Sequence, residues 1–121
     1  MNRQSLTVNI VDSYQFGQVV VNGRKYSSDV IIFPDRVRDN WWRKMSHQLC
    51  LGDIAEVITE SPEVLVVGTG ESGLMKVLPE VKESVDAQGI KLIAEATGKA
   101  CSTYNQFCHS QKVIAALHLT C

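Results

Sequence analysis

The feature that most constrains this chain is the rhythm of its second half. Strand-length segments at residues 64–67, 90–94 and 113–117, the first and last of them wholly apolar, alternate with two segments of helical pattern. Continuous apolar runs of four or five residues suit strands buried on both faces, as in a sheet covered by helices. Pro79 suits the first turn of the intervening helix, Val81 and Val85 share one face, and Gly89 fits its stop. Thr97 can cap the next helix, which carries Ala100, Cys101, Tyr104, Phe107 and Cys108 on one side. The order β-α-β-α-β predicts right-handed crossovers and a largely parallel central sheet.

The first third has a different rhythm. Leu6, Val8 and Ile10 alternate with polar residues, which predicts a half-buried strand. Gln18-Val19-Val20-Val21 follows Gly17, and Asn22-Gly23 is a hairpin-turn dipeptide before Arg24-Lys25-Tyr26. The run 29–33 is a buried strand stopped by Pro34, and residues 36–42 read as an edge strand or loop. Asp53, with Glu56 three residues on, predicts a capped short helix closed by Pro62.

At 121 residues the chain supports one domain spanning 1–121, in which folding buries roughly two-thirds of the exposable surface. A 45% hydrophobic, 21% charged composition argues against disorder. No apolar run approaches the ~20 residues of a membrane helix. The start lacks the layout of a secretory signal, so the expectation is a cytoplasmic protein with free thiols and no membrane association. Cys50, Cys101, Cys108 and Cys121 form no C-x-x-C pair.

Several segments in fixed order resemble one known family: GRKYSSDVIIFP at 23–34, His47-Gln48-Leu49 leading to Asp53-Ile54, VLVVGTG at 64–70, and TGKACSTYNQF at 97–107. It is a family of small α/β domains first described from a methanogen protein of unknown function. It also holds a mitochondrial respiratory complex I assembly factor and an adipogenesis-associated protein. The resemblance covers about residues 6–119. It implies a three-layer α/β fold: a central mixed, mostly parallel sheet with helices on one side, and extra strands plus a helix on the other. It implies no established reaction and no cofactor. The residues matching its motifs are Gly68, Thr69, Gly70, Thr97, Tyr104 and Asn105.

Those residues mark the first candidate site. Gly68-Thr69-Gly70-Glu71-Ser72-Gly73 is a literal G-x-G-x-x-G after a strand, with Glu95 placed 22 residues beyond Gly73. In a dinucleotide fold such glycines let backbone approach a pyrophosphate. Against this, Pro79 starts the main helix late, and Glu71 brings negative charge to the turn. The other reading is a glycine bend needed for its backbone conformation. Tyr104 and Asn105 either project toward that bend as ligand contacts or tether the core and a loop. Cys101 and Cys108, seven apart, lie about 10 Å apart along a helix, too far for one zinc; they read as small core residues. His47 is either a general base or a loop anchor.

The second candidate is Trp41-Trp42-Arg43-Lys44. Residues 23–44 carry six basic against three acidic groups, whereas 51–95 carry nine acids against three lysines. Interleaved aromatics and cations suit a protein interface or single-stranded nucleic acid. The net charge of −1 disfavours nucleic acid. The sequence therefore supports a non-catalytic binding or assembly-accessory module with a protein partner or self-association. The alternative is a small-molecule or nucleotide-binding enzyme centred on Gly68–Gly73.

Overall fold

The computed structural model describes residues 8–45 and 47–120. Its frame is a five-stranded sheet assembled from distant parts of the chain. Strand β1 (Val11–Gln15) pairs antiparallel with β2 (Gln18–Val21), which pairs with β3 (Arg24–Tyr26). This meander turns through Asn22 and Gly23, both at positive φ, the conformation that a two-residue hairpin loop requires. Strands β4 (Val30–Ile32) and β5 (Val37–Arg38) follow, then a short β6 (Gln48–Leu49). A 3₁₀ turn (Leu51–Ile54) leads into α1 (Ala55–Glu60). Then come β7 (Val64–Thr69), β8 (Lys76–Val77), α2 (Pro79–Ala87), β9 (Lys91–Glu95), α3 (Thr97–Phe107) and β10 (Val113–His118).

The central sheet has the order β5-β4-β10-β7-β9. Strands β10, β7 and β9 run parallel, and β4 is antiparallel to β10. Each central strand divides its side chains between two cores by alternation. Val64 and Val66 of β7, with Val113, Ala115 and Leu117 of β10, face the β1-β2-β3 meander and α3. Leu65 and Val67, with Ile114 and Ala116, face Ile54, Val57, Val81 and Val85 of the other helical layer. All six residues of β7 and of β10 are buried, which is why both read as continuous apolar runs. The chain therefore has the three-layer α/β fold: helices on one face of a mixed, mostly parallel sheet, and strands plus a helix on the other.

The local expectations that differ have identifiable causes. Leu6 lies outside the described residues, and residues 8–10 are not strand; β1 begins at Val11. Its register is set by the turn at Phe16-Gly17, which places Gln15 opposite Gln18, so a largely polar stretch becomes the strand. Asp53 does not open a helix with Glu56. The turn starts two residues earlier, and Asp53 accepts hydrogen bonds from the amides of Cys50 (2.9 Å) and Lys44 (3.1 Å). Glu56 instead pairs with Arg36 and Arg38. Thr97 is the first helical residue of α3, behind Ala96, and its hydroxyl turns to the strand ends. The pair β6 and β8 carries no apolar alternation in the sequence and forms where Gln48 meets Lys76.

Gly68 sits within β7, between Leu117 and Glu95, on the face where α3 docks. A Cβ there would lie 2.9 Å from both Leu117 Cδ2 and Thr97 Oγ1. The missing side chain is what lets the first turn of α3 approach the sheet. Gly68→Ala is expected to destabilise by about 1–3 kcal/mol through overpacking, measured by denaturant unfolding; an unchanged midpoint would contradict this packing.

Candidate functional site

The glycine bend lies at the carboxyl end of β7, where open α/β sheets usually place ligands. The structure brings Gly68, Thr69, Gly70 and Thr97 together there, and joins them to one another. The Gly70 amide donates to Thr97 Oγ1 (2.9 Å), and that hydroxyl donates to the carbonyl of His118 (2.5 Å). The Thr97 amide donates back to the Gly70 carbonyl (3.0 Å). Thr69 Oγ1 donates to the carbonyl of Glu95 (3.0 Å). The amides of Glu71, Gly73 and Met75 donate to the carbonyls of Thr120, Gly70 and Thr69. A phosphate cradle needs free amides, and these are engaged within the chain. The Glu95 carboxylate accepts from Thr103 Oγ1 (2.6 Å) through one of its oxygens, Oε1.

Tyr104 and Asn105 do not join this bend. Tyr104, fully buried, donates its hydroxyl to the carbonyl of Asn9 (2.8 Å). Burial is the main reason that hydroxyl ionises well above its ordinary range. Asn105 grips both backbone groups of Val11: its Oδ1 accepts from the amide (2.9 Å) and its Nδ2 donates to the carbonyl (2.8 Å). Together they lash α3 to the start of β1. Cys101 is buried and its thiol is pushed up to about 12 by desolvation, which leaves little thiolate for nucleophilic chemistry.

The tetrapeptide 41–44 alternates as an extended segment does. Trp41 and Arg43 are buried, whereas Trp42 is 85% exposed and Lys44 also faces solvent. Trp41 donates from Nε1 to the carbonyl of Asp53 (3.0 Å), and the Arg43 guanidinium stacks 4.8 Å over its ring. Arg36 and Arg38, which the sequence groups with this patch, bond instead to Glu56 and Glu60 of α1. Part of the basic segment, Arg36 and Arg38, is thus neutralised by Glu56 and Glu60 of the acidic one.

Arg43 belongs to a polar cluster with Asp29 and His118. Asp29 Oδ2 accepts from Arg43 Nη1 (2.8 Å) and stands 2.9 Å from His118 Nδ1, while Asp29 Oδ1 accepts from the Leu119 amide (2.7 Å). His118 Nδ1 is also 2.9 Å from Arg43 Nη2, so the imidazole tautomer decides which of the two it serves. The Asp29 carbonyl accepts from the Trp41 amide (2.9 Å). His47 is exposed and sets its ring edge-on to that of His118, with centroids 6.2 Å apart. The signal for this cluster was His118 between Leu117 and Leu119, since an ionisable residue in a buried run needs partners.

A groove runs between Trp42 and the start of α1, lined by Arg38, Asn40, Gly52, Asp53 and Glu56. An apolar groove formed by Leu51, Ala55 and Ile58 adjoins it through Gly52 and Ala55. Leu51 is partly exposed at this junction. Among the described residues, no helix is long and apolar enough to cross a membrane. No group of three His, Cys, Asp or Glu side chains among them is arranged to hold a metal.

A family model described as a protein of unknown function (DUF498/DUF598) matches residues 11–118. The chain is 29% identical to the NADH dehydrogenase (ubiquinone) 1 alpha subcomplex assembly factor 3 of Bos taurus, over 96% of this chain and 63% of that protein. It thus spans less than two-thirds of that relative's length. Among solved structures, it is similar to a conserved hypothetical protein from Pyrococcus horikoshii (TM-score 0.78, 26% identity, 92% of this chain and 98% of that one). A Bordetella pertussis Mth938-like domain shares the fold (TM-score 0.67, 21% identity, 98% of this chain and 90% of that one).

Burial alone would raise the Asp29 carboxyl, but the Leu119 amide, His118 and Arg43 outweigh it and hold it below its ordinary 3.8. Its contribution to stability is therefore present above pH 3.8 and lost as pH falls through the lower folded value. Asp29→Asn is expected to cost about 3 kcal/mol at neutral pH, because Arg43 stays buried without its carboxylate. The difference from wild type should shrink in urea melts taken at progressively lower pH; a difference independent of pH would contradict the assignment.

Proposed function

The chain belongs to the family of proteins of unknown function described as DUF498/DUF598, and from that premise we propose that it is a non-catalytic, protein-binding module of the assembly-accessory kind. One observation carries the reading: Trp42 is held out in solvent between two buried neighbours, at the rim of a groove that shares Gly52 and Ala55 with a second, apolar one. Interfaces draw much of their energy from such aromatic anchors, and one carried on backbone that its neighbours already hold loses less entropy on binding. Lys44 faces the same side, while Trp41 and Arg43 act from below by fixing the backbone. The partner of matching chemistry is a protein segment that packs over the indole and places an aliphatic side chain against Leu51, Ala55 and Ile58.

Two further points support a protein over the other ligand classes. Arg36 and Arg38 are neutralised by α1, so the patch carries less free positive charge than its sequence implies, against what nucleic acid needs. The amides of Gly70, Glu71 and Gly73 are engaged within the chain, which favours the structural reading of Gly68, Thr69, Gly70 and Thr97 over a nucleotide site. The assembly role named for the bovine relative fits a module that binds and does not turn over substrate. The domain organisation proposed is a single unit over 1–121.

Trp42→Ala removes only a solvent-exposed ring, so its melting temperature should match wild type. Retention of partners by the immobilised variant from extract, read by quantitative mass spectrometry, should fall at least about tenfold, in line with loss of an aromatic hot spot. Equal retention by variant and wild type would contradict the proposal.

A further inference from the structure

Strand β9 is an outer strand of the central sheet: β7 covers one side, and no described strand covers the other. Its ladder with β7 fixes which backbone groups are left over. The Lys91 amide donates to the Glu63 carbonyl (3.0 Å), and the parallel register runs from Val64 opposite Lys91 to Gly68 opposite Glu95. In such a ladder alternate residues bond to the neighbour. Lys91, Ile93 and Glu95 therefore turn to β7, while Leu92 and Ala94 present their N–H and C=O groups outward. These two residues line an open groove beside α2, whose other wall carries Lys82, Glu83 and Asp86.

We infer that this edge pairs with the β9 edge of a second copy of the chain, antiparallel about a two-fold axis at Ile93. The order Lys91-Leu92-Ile93-Ala94-Glu95 carries opposite charges at its two ends. Antiparallel self-pairing sets Lys91 opposite the second copy's Glu95, and the symmetry repeats the pair. Leu92 then opposes the second copy's Ala94 as a hydrogen-bonded pair, and two such pairs supply four ladder bonds. Ile93, partly buried against the α3-side core, meets its own equivalent. Slipping the register by two residues would break the charge match, and a parallel arrangement would set lysine beside lysine. A charged edge ordinarily discourages association; here the charges select one register and one partner. The α2 wall of the groove also carries both signs, as a surface that meets itself must.

The five-residue contact predicts a modest association, roughly micromolar. Sedimentation velocity of the full chain across the micromolar range should show a concentration-dependent doubling of mass. Ala94→Pro removes an outward donor without touching the β7 ladder, and should weaken the dimer about tenfold or more. Lys91→Glu and Glu95→Lys should each be monomeric, and mixing the two should restore the dimer. A wild type that stays monomeric, a dimer indifferent to Ala94→Pro, or a mixture that fails to associate would overturn the inference.

Discussion

Asp29 is the point at which distant parts of the chain are tied together. Its carboxylate takes the Leu119 amide beyond β10 and the guanidinium of Arg43, and its carbonyl takes the amide of Trp41. A charge this sheltered is tolerated only when its partners are in place, and the same holds for Arg43, whose side chain is 5% exposed. The loop carrying Trp41 and Arg43 therefore has one arrangement that satisfies both ions. With Trp41 and Arg43 turned inward, an extended backbone leaves Trp42 and Lys44 outward. The exposed indole is thus a consequence of burial on either side of it.

A second joint closes the neighbouring strand end. Because β4 runs against β10, Asp29 at its start lies at the same end of the sheet as His118 and Thr69, which are opposite each other in the β10–β7 register. There the Thr97 hydroxyl bridges the Gly70 amide and the His118 carbonyl. In many α/β folds this end of the sheet holds a ligand. Here the chain's own hydroxyls and carbonyls engage the Gly70, Glu71 and Gly73 amides of the bend.

Much of this architecture was legible before any coordinates. The three strand-length segments, Pro79 and Gly89 around α2, and Asn22-Gly23 at the hairpin reflect local chemistry, and local chemistry is written in order along the chain. What was not legible depends on long-range encounters. Asp29 and His118 are 89 residues apart, and no spacing rule connects them. The charge asymmetry was visible, but its meaning changed once Arg36 and Arg38 met Glu56 across the fold. Residues 68, 69, 70 and 97 lie together at one strand end, and the hydrogen bonds of Gly70 and Thr97 close on each other. Tyr104 and Asn105 face β1 instead, because helical periodicity says which side is buried and not what lies beneath it.

A buried carboxylate pre-orders the loop that displays Trp42. Hydrogen exchange at the Trp41 and Leu119 amides tests it most directly, since both bond to Asp29 from different parts of the chain. In the wild type both amides should be protected. In Asp29→Ala both should lose protection together, while those of β7 remain slow. Rapid exchange at Trp41 in the wild type, at the rate of an unstructured loop, would contradict it.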